Sequence, residues 1–235
     1  MGEGKQKKAQ LQEAIKLSQH MNPCRFEILT MGTRRSIARY MAEELSYWCS
    51  LDERLLGLVF RDVTDNDYAW MILARDAGGR FRCIDLDTSL RSESYAETGL
   101  RLAMARYIEN EDLDAIGRQG DEPEEVVNLL AVLPGVKSEK LHPYFKLLLE
   151  DPGRAPARAI IKEMGPWLAP KDPHLVREFQ QHHFDQRLWE LYLWAALREL
   201  NFDVEYHEAP DFSCLSPAGK FSLEATTVAP SAMGP

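Results

Sequence analysis

Apolar residues recur at two different periods along the chain, and the switches between them mark its elements. Leu11, Ala14, Ile15 and Leu17 are spaced as on a helix covering residues 5–21, which Asn22-Pro23 is expected to end. In residues 34–48 (RRSIARYMAEELSYW), Ile37, Met41, Leu45 and Trp48 fall on one helical face, with Arg34, Arg35 and Arg39 at its start. Three strand-like runs follow, LLGLVFRDV at 55–63, YAWMILARD at 68–76 and RFRCIDLD at 80–87. Turn-forming Thr64-Asp65-Asn66-Asp67 separates the first two, and Gly78-Gly79 leads into the third. They predict a three-stranded antiparallel meander. A helix is expected over 92–110, with Ser92 as its N-cap.

Residues 117–125 (GRQGDEPEE) are polar and rich in turn formers, as in a linker. Short helices are predicted at 123–132, 140–150 and 156–169, separated by Pro134-Gly135, Asp151-Pro152-Gly153, and Pro166 with Pro170. The longest unbroken pattern is FDQRLWELYLWAALREL at 184–200, a helix apolar on more than one side. Strand-like FDVEYH (202–207), APDFSCLS (209–216) and KFSLEATTV (220–228) come next, the last two joined by Pro217-Ala218-Gly219. The fold class is therefore α+β. Residues 1–118 are read as a small domain of helices and meander. Residues 119–183 are read as a helical connector, and 184–235 as a C-terminal helix with strands.

Composition narrows the function classes. With 235 residues, 45% of them apolar, the chain can bury a core without staples. No apolar run is long enough to span a membrane. The N-terminal residues carry Lys5, Lys7 and Lys8 but lack the apolar core of a secretory signal. Cys24, Cys49, Cys83 and Cys214 have no metal-binding spacing, which fits free thiols in a reducing cytoplasm. A net charge of −9 excludes a protein that coats nucleic acid through a broadly basic surface.

The chemistry is concentrated near the C-terminus. A helix bearing Glu190 is followed by a strand, then Pro210-Asp211-Phe212, a turn, and Leu223-Glu224-Ala225-Thr226. This order resembles the PD-(D/E)xK nuclease superfamily, the restriction-endonuclease-like fold, over residues 184–228. The resemblance implies the first half of that core, helix–strand–strand–strand. Asp211 then matches the motif Asp and Glu224 the motif acidic residue, while Glu190 is similar to the helix acid. The backbone carbonyl of Ala225 is a further implied ligand. Two carboxylates on paired strands suit Mg²⁺ or Mn²⁺, which take oxygen ligands. The implied activity is metal-dependent phosphodiester cleavage of DNA, in restriction or defence.

Two departures qualify the match. Thr226 stands where the family has its lysine; it can hydrogen-bond a water but is neither charged nor basic. Lys220, with the strand parity of Glu224 but roughly 13 Å along an ideal strand from it, is the candidate for a relocated lysine. The family's core also continues with another helix and strand. The resemblance implies that these come from residues beyond 235 or from another chain. The alternative reading is a degenerate nuclease-like fold that serves as a non-catalytic interaction module.

Other residues have simpler readings. Asp85 and Asp87 share a strand face and resemble a nucleotidyltransferase metal pair, against a default of a solvated strand end. His182-His183 belongs to a helix N-terminal surface. Arg34, Arg35 and Arg39 are expected to face water, with phosphate contact as the alternative. Trp189 and Trp194 are expected in the core rather than as a base-stacking platform.

Overall fold

The structure, a computed structural model, describes residues 12–13, 16–109, 113–122, 125–168, 174–207 and 209–228. The chain divides into two compact units, residues 1–124 and 125–235, so residues 125–183 of the expected connector fall in one unit with the C-terminal elements, and 119–124 in the other. The fold is α+β, as the sequence predicts.

In the first unit, β1 (Ser18–His20), β2 (Ala42–Ser50), β3 (Leu55–Asp62), β4 (Tyr68–Arg75) and β5 (Phe81–Leu90) form one antiparallel sheet in sequence order. The expected three-stranded meander is thus its β3–β4–β5 part. Strand β3 reads as nearly continuous apolar sequence because both of its faces are covered. Leu55 and Val59 pack with Leu100 and Met104 of α3 (Glu93–Ile108). Leu56 and Leu58 face the other way, with Phe26 and Leu29 of α1 (Pro23–Thr30). Gly57 lets α3 come close, since a Cβ there would lie 3.0 Å from Leu100 and Met104. Ser92 caps α3 as expected, its hydroxyl accepting from the Tyr95 N–H.

Two N-terminal expectations are corrected. Residues 1–11 and 14–15 lie outside the described residues, but Ser18–His20 is a strand paired with β2, not the end of a helix. Asn22-Pro23 opens α1 instead of closing a helix. The Asn22 side chain accepts from the Cys24 and Arg25 N–H groups, and proline occupies the first turn, where its missing N–H is harmless. The helix expected over 34–48 is confined to α2 (Ser36–Met41), after which the chain becomes β2. Pairing of β2 with β3, from Ala42 opposite Asp62 to Cys49 opposite Leu56, overrides the local helical spacing.

Arg35 is exposed as expected, but Arg34 and Arg39 depart from expectation. Arg34 is 7% exposed and forms ion pairs with Glu27 and Glu44, while Arg39 pairs with Glu27. The Tyr47 hydroxyl donates to Glu44 at 3.0 Å. These groups face one another, not water. Helix α4 (Leu113–Ile116) follows α3. Gly117, just after it, sits against β4, where a Cβ would lie 2.0 Å from the Arg75 carbonyl oxygen.

In the second unit, no helix forms over the described residues 125–132. The Asn128 side chain accepts from the Leu130 and Ala131 N–H groups, and buried Gln180 bonds to the Leu129 and Ala131 carbonyls and the Leu133 N–H. Side-chain bonds of this kind take up backbone groups that a helix would otherwise pair. Helices α5 (Pro143–Glu150) and α6 (Ala155–Met164) correspond to the second and third predicted helices. A short α7 (Leu175–Arg177) precedes a π-helical turn at 178–182, then α8 (Phe184–Glu199). An antiparallel sheet of β6 (Asp203–Tyr206), β7 (Phe212–Ser216) and β8 (Gly219–Leu223) completes the unit. No helix among the described residues is long and apolar enough to cross a membrane.

Two measurements test this packing. Gly117→Ala should lower stability by about 1–3 kcal/mol, because backbone must move to admit the methyl group; an unchanged urea midpoint would contradict the close approach. Burial, the Glu44 charge and the bond to Glu44 push the Tyr47 hydroxyl from 10.0 up to about 12. A raised folded-state value means that the stability it confers is complete below pH 10 and is lost as pH rises toward 12. Melting temperature should therefore fall less steeply over that interval in Tyr47→Phe than in the wild type.

Candidate functional site

The register of β7 and β8 sets the geometry. Phe212 pairs with Leu223 and Cys214 with Phe221, so the next residues outward, Asp211 and Glu224, meet at the open end of the two strands. Two backbone N–H groups join these ends. The Asp211 N–H donates to Glu224 Oε2 at 3.3 Å, and the Ala225 N–H donates to Asp211 Oδ2 at 2.6 Å. A cis peptide joins Ala209 to Pro210 just before this point. The hairpin thus brings Asp211 and Glu224 to one end of the two strands. Neither forms an ion pair among the described residues.

Glu190 is held elsewhere in the same unit's interior. It is 2% exposed on α8. Its Oε2 accepts from Arg187 Nη1 at 2.7 Å and from the Tyr206 hydroxyl at 2.6 Å, and its Oε1 accepts from Gln186 Nε2 at 3.3 Å. Arg187 also donates to Glu178 and, at 2.6 Å, to the Tyr206 oxygen. Burial drives the Tyr206 hydroxyl well above its usual range, and the bond to Glu190 and its charge add to that. Burial alone would lower the Arg187 value, but its bonds to Glu190 and Glu178 outweigh this and raise it. The helix acid thus stands in a buried ion pair. Tyr206 links it to the hairpin, because its ring meets that of Phe212 at 5.4 Å and its hydroxyl feels the Asp211 charge.

The remaining candidates are dispersed. Lys220 is exposed on β8 opposite Leu215, and Thr226 is exposed beyond the end of that strand. Ala225 is buried, with its N–H on Asp211. Asp85 accepts from the Tyr107 hydroxyl at 3.2 Å, and Asp87 is exposed opposite Trp70 on an edge strand. His182 and His183 are exposed, with ring centroids 6.5 Å apart, at the start of α8. Trp194 is buried, whereas Trp189 is 39% exposed and stacks on Tyr192.

Among the described residues, no group of three His, Cys, Asp or Glu side chains is placed to hold a metal ion. The hairpin donors still suit a hard divalent cation in kind, since Mg²⁺ commonly takes only one or two protein carboxylates and keeps several waters. Asp211 Oδ1 and Glu224 Oε1 carry no protein hydrogen bond among the described residues.

The sequence reading missed Arg187, Glu178 and Tyr206. Arg187 lies three residues before Glu190, a spacing that puts both on one helical face and was available as a signal. It also missed a cavity of about 250 Å³ lined by apolar residues that include Trp167, Leu175, Trp194 and Val204 and by Arg187, Glu190 and Tyr206. No protein-family model, curated protein or solved structure matches the chain.

The two kinds of carboxylate should respond differently to mutation. Glu190→Ala should destabilise the second unit by about 3–5 kcal/mol, because it leaves Arg187 and Tyr206 without their shared acceptor. Asp211→Asn and Glu224→Gln should change stability by no more than about 1 kcal/mol, because Glu224 is exposed and an amide oxygen can keep the bond that half-buried Asp211 accepts. Equal losses in all three variants, measured by chemical denaturation, would contradict this division.

Proposed function

We propose that residues 184–228 form the helix-and-hairpin part of a PD-(D/E)xK-type phosphodiesterase that cleaves DNA with the help of Mg²⁺ or Mn²⁺. The observation that carries this reading is the meeting of Asp211 with Glu224 and Ala225 at the open end of the hairpin. Asp211, Glu224 and the Ala225 carbonyl would hold the ion. When bound, such an ion lowers the pKa of a water and offsets charge that builds on a phosphate. The Ala225 N–H fixes one face of Asp211, so that its other oxygen is presented outward. Thr226 lies two residues beyond Glu224 and offers a hydroxyl that can orient a water but cannot take its proton. Glu190 acts here as a positioning residue, holding Tyr206 and through it the base of the hairpin. With a net charge of −9, contact with DNA would rest on the ion and on local groups.

One set of observations favours a second reading, a nuclease-like fold kept as a non-catalytic interaction module. The helix acid is occupied by Arg187 and Tyr206, and threonine replaces the lysine. Calorimetric titration with Mn²⁺ separates the two. The enzymatic reading expects saturable binding by the wild type that disappears in Asp211→Asn/Glu224→Gln. A folded wild-type protein that takes up no Mn²⁺ would remove that reading and leave the interaction module.

A further inference from the structure

Strand β8 is an outer strand of its sheet, with β7 on one side and no strand on the other among the described residues. Gly219, Lys220, Phe221 and Ser222 are exposed, as is Glu224 just beyond the strand. Its pairing with β7 runs without a register shift from Ser216 opposite Gly219 to Phe212 opposite Leu223. By contrast β5, an outer strand of the first unit's sheet, pairs through two irregularities, a common way of blunting an edge. A regular open edge is a template for another strand.

The hairpin decides what that edge offers. Only Pro217 and Ala218 separate Ser216 from Gly219, so these two flank a two-residue loop and exchange backbone bonds. Alternation then directs the backbone groups of Phe221 and Leu223 toward β7, and those of Lys220, Ser222 and Glu224 outward. Side chains alternate too. Phe221 and Leu223 share a face with buried Phe212 and Cys214, while Lys220, Ser222 and Glu224 share the other. An antiparallel copy related by a twofold axis at Ser222 sets Lys220 opposite Glu224 and Phe221 opposite Leu223. Neither Lys220 nor Glu224 has an ion pair among the described residues. Moving the axis by one residue sets Lys220 or Glu224 opposite Ser222 instead, so one register satisfies both charges. The same register gives apolar cover to Phe221, which is 40% exposed.

We propose that the chain forms a twofold dimer in which β8 pairs antiparallel with β8 of a second copy, Lys220 against Glu224. The two three-stranded sheets become one continuous sheet. One consequence rests on the nuclease reading: the partner's Lys220 stands beside Glu224 and Asp211 and supplies the lysine charge that Thr226 does not. Within one chain Lys220 is roughly 13 Å along the strand from Glu224, but across the axis the two are direct neighbours, about 5.5 Å apart at Cα.

The test is sedimentation equilibrium of the whole chain without divalent metal. The wild type should show a reversible monomer–dimer equilibrium. Lys220→Glu and Glu224→Lys each set like charges opposite one another on both sides of the axis, and each should raise the dimer Kd about tenfold or more. The double reversal Lys220→Glu/Glu224→Lys restores the opposite charges and should return the Kd to within about threefold of wild type. Ser222→Pro removes an outward N–H without breaking a bond to β7 and should abolish the dimer. Circular dichroism would confirm that each variant is folded. Three results would overturn the proposal. One is a folded wild type that stays monomeric at every concentration, which would leave Lys220 as a charge that guards an open edge. The others are unchanged dimerisation in folded Ser222→Pro, and a double reversal that dimerises no more tightly than the single variants. Titration of monomeric Ser222→Pro with Mn²⁺ reads the cation site separately, so either proposal can fail without the other.

Discussion

The second unit is organised around one buried charge pair. Removing the Glu190 carboxylate and the Arg187 guanidinium from water is costly, and the cost is recovered only if both are well hydrogen-bonded. Here they are: Glu190 accepts from Gln186, Arg187 and Tyr206, and Arg187 reaches Glu178 as well. The pair spans three elements, because Glu178 belongs to the π-helical turn, Arg187 and Glu190 to α8, and Tyr206 to β6. Shifting any one of them would leave a buried polar group without its partner, so the network fixes where α8 lies against β6. The hairpin follows from that position. Val204 pairs with Cys214 and Tyr206 with Phe212, and β7 in turn sets the register of β8.

The first unit uses the same device in a different setting. Arg34 is buried against Glu27 on α1 and Glu44 on β2, with Tyr47 donating to Glu44. This ties the helical N-terminal segment to the sheet at the place where the chain turns from α2 into β2. The rest of that unit is held by apolar layers on both faces of β3 and β4. Such a sheet tolerates only small residues where a helix presses closest, which is why Gly57 faces α3.

How far the sequence could be read follows from whether each decision is local. Strands β3, β4 and β5 and helix α3 were legible because their periodicity, turns and cap all lie within a few residues. Strand β2 was not, because Leu45 and Trp48 satisfy a helical stripe as well as a strand; only pairing with residues 56–62 decides between them. Asn22-Pro23 was misread because the same dipeptide can stop one helix or start another. Residues 125–132 look helical in composition, but their backbone groups are taken by Asn128 and by Gln180, which is remote in sequence. At the site, the meeting of Asp211 and Glu224 was legible because a hairpin fixes it locally. The role of Glu190 was not, since it depends on Tyr206 arriving from the next element.

The electrostatics of the hairpin contrast with those of the interior. Glu190, Glu27 and Glu44 each face an arginine. Asp211 and Glu224 meet one step beyond the paired ends of β7 and β8, two acids without an arginine between them among the described residues. Each is compensated by a single backbone N–H, and neither has a cationic side chain in an ion pair with it among the described residues. Under the proposed function, a cation from outside the chain would supply the charge that this pair lacks. On that proposal Thr226, two residues beyond Glu224, adds a neutral hydroxyl and no charge of its own.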